Sequence, residues 1–273
     1  MKSLLARALL AAGVAAVIPA LINESRAQDN TAKAIQEYRD AFKDGNPAEL
    51  WEVKSEDLWK QARGPNKVSL ERCDLGQGPG VVKGAYAKLP RYFKDADTVQ
   101  DLESRLVHCM VNIQGFKRED ATRRVFGGPG APADMEALVA YVTAESRGVK
   151  MDVPLSHPKE KAAFAMGRKL FFYRAGPHDF ACSTCHGEEG KRIRLQDLPN
   201  LTSKKDVERA YTTWPAYRVS QGELRSFQWR LNDCFRQQRF PELVFGSDVS
   251  VALTTYLART ANGAVFTAPT VKR

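Results

Sequence analysis

Residues 182–186 read Cys-Ser-Thr-Cys-His, and this run carries the most specific chemistry in the chain. Two thiols three positions apart can add to the two vinyl groups of a haem, and the following histidine can ligate its iron. The Cys182-x-x-Cys185-His186 spacing therefore reads as c-type haem attachment. A thioredoxin-like dithiol is the alternative, but it needs a βαβ setting that the flanking sequence does not offer. A cytochrome c that only carries electrons commonly places methionine opposite the histidine, yet no methionine follows the motif. The candidates for the sixth position are Cys234, 48 residues beyond His186, then Met166 before the motif, then water or another group. His178 reads as a polar loop histidine. Arg230 lies one helical turn before Cys234, on the same face. A guanidinium there favours thiolate over thiol and can grip an oxyanion through a bidentate fork. Arg236 and Arg239 either add to that positive charge or pair with Asp233 and Glu242 on a solvated face.

The chain also repeats itself. Cys73-Asp-Leu-Gly76-Gln77-Gly78 with Leu89-Pro90 overlays Cys182-Ser-Thr-Cys185-His186-Gly187 with Leu198-Pro199, at an offset of 109. Arg105-Leu106-x-x-Cys109 matches Arg230-Leu231-x-x-Cys234 at an offset of 125, so 16 extra residues lie around Thr212–Gln228 of the second copy. Ala137-Leu138-x-x-Tyr141 matches Ala252-Leu253-x-x-Tyr256. Three blocks in the same order indicate a duplicated domain. Gly76 and Gln77 stand where Cys185 and His186 stand, so the first copy reads as a haem domain that has lost its haem. Its cysteines, Cys73 and Cys109, flank the place of the lost cofactor. They are expected to form a disulfide, with two separate buried thiols as the alternative.

The elements that position these residues are helical. Apolar residues recur at helical spacing over Thr31–Lys43, Thr98–Gly115, Asp134–Arg147, Pro158–Tyr173, Gly222–Arg239 and Asp248–Arg259. Strand-like alternation is sparse. The expected fold is mainly α, with two tandem cytochrome c-like domains, the first without haem. Their bounds are 28–150 and 151–273, and the join falls in the linker Gly148–His157. The helix Lys159–Phe172 precedes the attachment motif and Val251–Leu257 packs across it. The tail Phe266–Arg273 is expected to wrap a neighbour or stay disordered.

The N-terminus shows Lys2 and Arg7, an apolar stretch from Ala8 to Ile22, then Ser25-Arg26-Ala27. This pattern reads as a secretory leader, residues 1–27, cleaved after about Ala27. It predicts export to a bacterial periplasm, with no membrane anchor. Removing the leader lowers the formal charge from +9 to +7. No nucleic-acid motif accompanies that charge, so an anionic small substrate or an acidic protein partner suits it better.

The duplicated plan, the Cys182–His186 site in the second copy and Arg230-Leu231-x-x-Cys234 together resemble the SoxA subunits of SoxAX cytochromes, over essentially the whole mature chain. That resemblance implies L-cysteine S-thiosulfotransferase activity: thiosulfate is joined oxidatively to a cysteine of the SoxYZ carrier, with electrons passing to cytochrome c. It implies that Cys234 is both axial ligand and catalytic cysteine, found as a persulfide in the family, and that Arg230 binds substrate. His186 would be the proximal ligand. The Gly76/Gln77 replacement resembles the one-haem type, with one haem c covalently held here and a second on the partner SoxX. The alternative function is an electron-transfer subunit whose His/Cys-ligated haem has no transferase role.

Overall fold

Two helix crossings, one per copy, set the frame. In the first copy α1 (Ala48–Lys60) packs against α4 (Ala133–Ala144), with α2 (Leu102–Asn112) and the short α3 (Arg118–Ala121) between them in sequence. In the second, α5 (Pro158–Phe172) packs against α9 (Asp248–Thr260). Between these run α6 (Cys182–His186), α7 (Lys204–Tyr211) and α8 (Phe227–Gln237). This computed structural model describes residues 45–122, 133–193 and 196–272, with Lys33, Ala34, Glu37 and Asp40 before them. The leader predicted over residues 1–27 lies outside the described residues, as does the helix predicted over Thr31–Lys43 apart from those four.

Gly167 permits the α5–α9 crossing. A Cβ at this position would meet the Ala252 carbonyl oxygen at 1.9 Å and the Tyr256 Cβ at 2.8 Å, so only glycine lets the backbones approach this closely. The crossing buries Phe171, Leu253 and Leu257, and Tyr256 packs its ring 5.6 Å from both Phe164 and Phe171. Pro158 starts α5, and Glu160 accepts from the backbone N–H of His157 at 2.9 Å. These features fix where the chain turns into the attachment segment.

Two predicted helices begin later than their periodicity indicates. Thr98–Gln100 forms β2, which pairs antiparallel with β1 (Arg91–Phe93), and α2 starts only after Asp101. Glu223–Arg225 likewise forms a strand, β6, and α8 starts after Ser226. The reason is the same in both. Asp101 accepts from Ser104 N–H at 3.0 Å, and Ser226 accepts from Trp229 N–H at 3.2 Å. A side-chain cap fixes a helix start more firmly than apolar spacing does. Both caps lie eight residues before the cysteine of their copy. Gln228, two residues into α8, donates to Asp101 at 2.5 Å and joins the two helix starts. Helices α1, α3, α6 and α7 carry no matching expectation from the sequence.

The tail departs from expectation. Phe266 and Ala268 are fully buried, and Thr267 and Ala268 donate to the Thr212 carbonyl at 3.1 and 3.0 Å. Thr270–Lys272 then forms β7, parallel to β5 (Ala216–Arg218), which also pairs antiparallel with β6. Through Lys272 the tail is thus ordered and packed on its own chain. It completes a sheet built by the extra residues of the second copy. A hairpin of two short strands, β3 (Arg192–Ile193) and β4 (Gln196–Asp197), follows α6.

No gap in the core separates the copies. Residues from Pro47 onward form one unit, and its apolar core runs from Leu70 and Leu106 to Leu253 and Phe266. Tyr86 of the first copy lies parallel to Tyr211 of the second, with hydroxyls 3.4 Å apart. The segment Gly148–Val153 is held at both sides. Asp152 donates to Ala87, Met151 to Ala264 and Gly148 to Phe266.

Candidate functional site around Cys182, His186 and Cys234

The attachment segment is one short helix held at both ends. Ala181 donates to Thr184 Oγ1 at 2.9 Å at its start, and Leu201 donates to the His186 carbonyl at 2.8 Å at its end. His186 Nδ1 lies 2.9 Å from the Pro199 carbonyl oxygen. A carbonyl can only accept, so Nδ1 carries the proton and Nε2 keeps a free lone pair. Burial, with the nearby Arg230 charge, holds the imidazole below its ordinary pKa against the opposing Pro199 bond. The ring is therefore neutral, oriented and ready to ligate at Nε2. Burial pushes the Cys182 thiol up to about 12, whereas the reactive thiol of a Cys-x-x-Cys oxidoreductase is depressed. A dithiol redox role is disfavoured.

Cys234 sits on α8, and its electrostatic neighbours are Arg230, Asp233, Cys185 and Arg218. Burial raises its thiol pKa; Asp233 and Cys185 add to that, while Arg230 and Arg218 pull it back. Cys182 also feels Cys234. The attachment cysteines and Cys234 thus lie within electrostatic reach of one another. Arg230 Nη1 donates to Asp233 Oδ2 at 3.1 Å, Arg236 Nη2 donates to Oδ1 at 2.9 Å, and Gln237 donates to Oδ2 at 2.7 Å. The Asp233 carboxylate is 6% exposed and collects all three donors. Arg230 remains 27% exposed and Arg236 57%. Arg230 is brought beside Cys234, whereas Arg236 serves Asp233 at the surface. Arg239 lies exposed beyond the end of α8 with φ of 54° and is not among the electrostatic neighbours of Cys234.

The corresponding place in the first copy is closed. Cys73 and Cys109 form the expected disulfide, with Cα atoms 5.7 Å apart. Arg105, four residues before Cys109, stacks 4.0 Å over Phe93, donates through Nε to the Asp74 carbonyl at 2.7 Å, and pairs with Asp95 at 2.9 Å. Gly76 has φ of +99°, and a Cβ there would meet Arg91 Cδ at 2.5 Å. A side chain at Gly76, the position that matches Cys185, would have to move Arg91.

Arg218 escaped the sequence reading. Its signal was the extra segment between two matched blocks: a basic residue placed there belongs only to the copy that kept its attachment motif. Met166 and the remaining histidines of the second copy lie elsewhere. His157 stacks on Tyr92 at 3.6 Å and His178 lies against Phe180 at 5.6 Å. Met166 is 45% exposed on α5.

The profile of the SoxA/TsdA cytochrome c domain matches residues 54–151 and 166–266, one match on each copy. The L-cysteine S-thiosulfotransferase subunit SoxA of Hydrogenophilus thermoluteolus is 52% identical over 244 residues, covering 88% of either chain. The subunit of the same name from Hydrogenobacter thermophilus is 34% identical over 224 residues, 82% of this chain and 81% of that one. The crystal structure of SoxXA from P. pantotrophus shares the fold, with a TM-score of 0.70 at 23% identity over 87% of this chain and 84% of that chain. The chain has the mainly α fold of two tandem cytochrome c-like domains and belongs to the SoxA family of c-type cytochromes.

Proposed function

We propose that this chain is the SoxA subunit of an L-cysteine S-thiosulfotransferase, in which Cys234 is the reacting sulfur and Arg230 holds the substrate. The observation that carries the reading is the placement of Cys234 beside Arg230 and the Cys182–His186 helix. In the net reaction a carrier-cysteine thiol and thiosulfate form an S–S bond, releasing one proton and two electrons. The electrons pass to a cytochrome c acceptor. Thiosulfate is a dianion and must approach an electron-rich sulfur, so a guanidinium beside that sulfur offsets the repulsion. Asp233 keeps Arg230 in place while leaving part of its fork exposed.

The donor set suits one haem c. Cys182 and Cys185 would form the thioethers, and His186 Nε2 and Cys234 Sγ would hold the iron. When bound, the haem would supply an iron that can bind the Cys234 thiolate and accept electrons singly. A first copy without haem is supported by the Cys73–Cys109 disulfide and by the packing of Arg91 on Gly76. In this reading the copies meet between residues 150 and 151, a second haem belongs to SoxX, and the carrier is SoxYZ. A disulfide suits the periplasm that the leader predicts. Among the described residues no helix is long and apolar enough to cross a membrane.

Cys234→Met tests the reading. The haem should stay attached through Cys182 and Cys185 while thiosulfate conjugation is lost. Retained turnover overturns the assignment of Cys234. An intact-mass measurement should find one haem per chain and extra sulfur on the Cys234 peptide.

A further inference from the structure

Arg218 ends β5, the central strand of the small sheet in the second copy, and its electrostatic neighbours are Arg230, Asp233 and Cys234. Its Nε is fully buried without a hydrogen-bond partner. Among the described residues it makes no ion pair, although Glu223 lies opposite it in register. Asp233 cannot serve it readily, because Oδ1 is engaged by Arg236 and Oδ2 by Arg230 and Gln237. Lys272, its other register partner, donates to Thr213 Oγ1 at 2.9 Å and lies 5.6 Å from the Trp214 ring, so that amine is engaged elsewhere.

Two guanidiniums near one sulfur, one of them with a buried donor left unpaired, repel each other and lose hydration. An anion resolves both costs at once. We infer that Arg218 is a second anion-binding arginine of the site, which with Arg230 grips the oxygen end of a sulfur oxyanion and presents its outer sulfur to Cys234. This rests on the reading of Cys234 as the reacting sulfur. A sulfonate end has three oxygens, enough for two forks, while its outer sulfur stays free to react. The strand bearing Arg218 comes from the segment that the first copy lacks, so anion binding and the attachment motif occur in the same copy.

Equilibrium binding of radiolabelled thiosulfate to the haem-loaded protein, with KM and kcat for conjugation alongside, tests the inference. Arg218→Gln should weaken binding and raise KM about tenfold or more with a smaller change in kcat. Arg218→Lys should recover part of the affinity, since it keeps the charge but not the fork. The haem absorption bands that report thiolate ligation should not move in either variant. Unchanged binding in Arg218→Gln overturns the inference, and so does a loss of affinity accompanied by altered haem bands. If the unaltered protein binds thiosulfate through Arg218 yet conjugates none, the transferase reading fails and the anion site stands.

Discussion

Arg105 and Arg230 each stand four residues before the cysteine of their copy, but only Arg230 lies beside a free thiol. Arg105 is 4% exposed and held by Asp74, Asp95 and the Phe93 ring. Among the described residues the Arg230 side chain pairs with Asp233 alone, and it retains exposed donors. The same residue at the same helical position is packed away in one copy and left partly exposed beside a thiol in the other, where the proposed function makes it the substrate handle. Arg105→Gln should therefore cost about 2 kcal/mol of stability, through the lost pair and an unmet Asp74 carbonyl. It should leave the KM for thiosulfate alone. Arg230→Gln should raise that KM by roughly 10- to 100-fold, the value of one charge-assisted contact, and leave stability nearly unchanged. Denaturant titration and steady-state kinetics on the two variants separate these outcomes.

The Cys73–Cys109 bond closes a 36-residue separation. In the loop-entropy picture its removal costs about 3–4 kcal/mol. The double variant Cys73→Ala/Cys109→Ala should melt at lower temperature with haem content and haem bands unaltered. Loss of haem on removing the bond would tie this copy to the cofactor and contradict a purely structural role.

Gly167→Ala drives a methyl into the Ala252 carbonyl. Helices α5 and α9 must then part, at about 3 kcal/mol, the upper range for overpacking. Lower haem content after expression and an earlier melt are the expected readouts. Normal values for both would mean that the crossing can shift cheaply.

How much of this could be read from the sequence follows from what each residue depends on. The attachment motif, Cys234 with Arg230, and the Cys73–Cys109 pair were all legible, because spacing along one chain or comparison of two copies defines them. The caps Asp101 and Ser226 are local too, yet apolar periodicity ran past them and hid the two short strands. Arg218 and the tail were not legible. Their roles depend on β5 and β7 meeting in space across some fifty residues of intervening chain, and three-residue strands leave no period to detect.

Asp101 supplies a pH signature. Burial pushes its carboxyl above the ordinary 3.8, with Ser104 and Gln228 pulling it back. The folded state thus keeps this proton to higher pH than the unfolded chain does. Its contribution to stability is greatest below the unfolded pKa and declines as pH rises from about 4 through the folded value. Asp101→Asn should flatten that decline, by at most about 1.4 kcal/mol per pH unit for one proton. Urea titrations of both proteins between about pH 4 and 6 measure the slopes. Equal slopes would show that other carboxyls dominate.

Truncation after Pro269 removes β7 and frees the edge of β5. Thiosulfate binding should weaken about as much as in Arg218→Gln, because that arginine loses its strand partner, while the haem bands stay in place. A truncated protein with full affinity would show that β6 alone holds Arg218.

The closed site of the first copy has a consequence for the history of this chain. Regaining a cofactor there would need a cysteine and a histidine at Gly76 and Gln77, an opened disulfide, and a withdrawn Arg91 and Arg105. Taken singly, opening the disulfide, withdrawing Arg105 or placing a side chain at Gly76 each lowers stability before any haem can compensate. On the one-haem reading, selection acting one substitution at a time meets a ratchet: the first domain can go on improving as a buttress, while each single step toward a haem there is opposed.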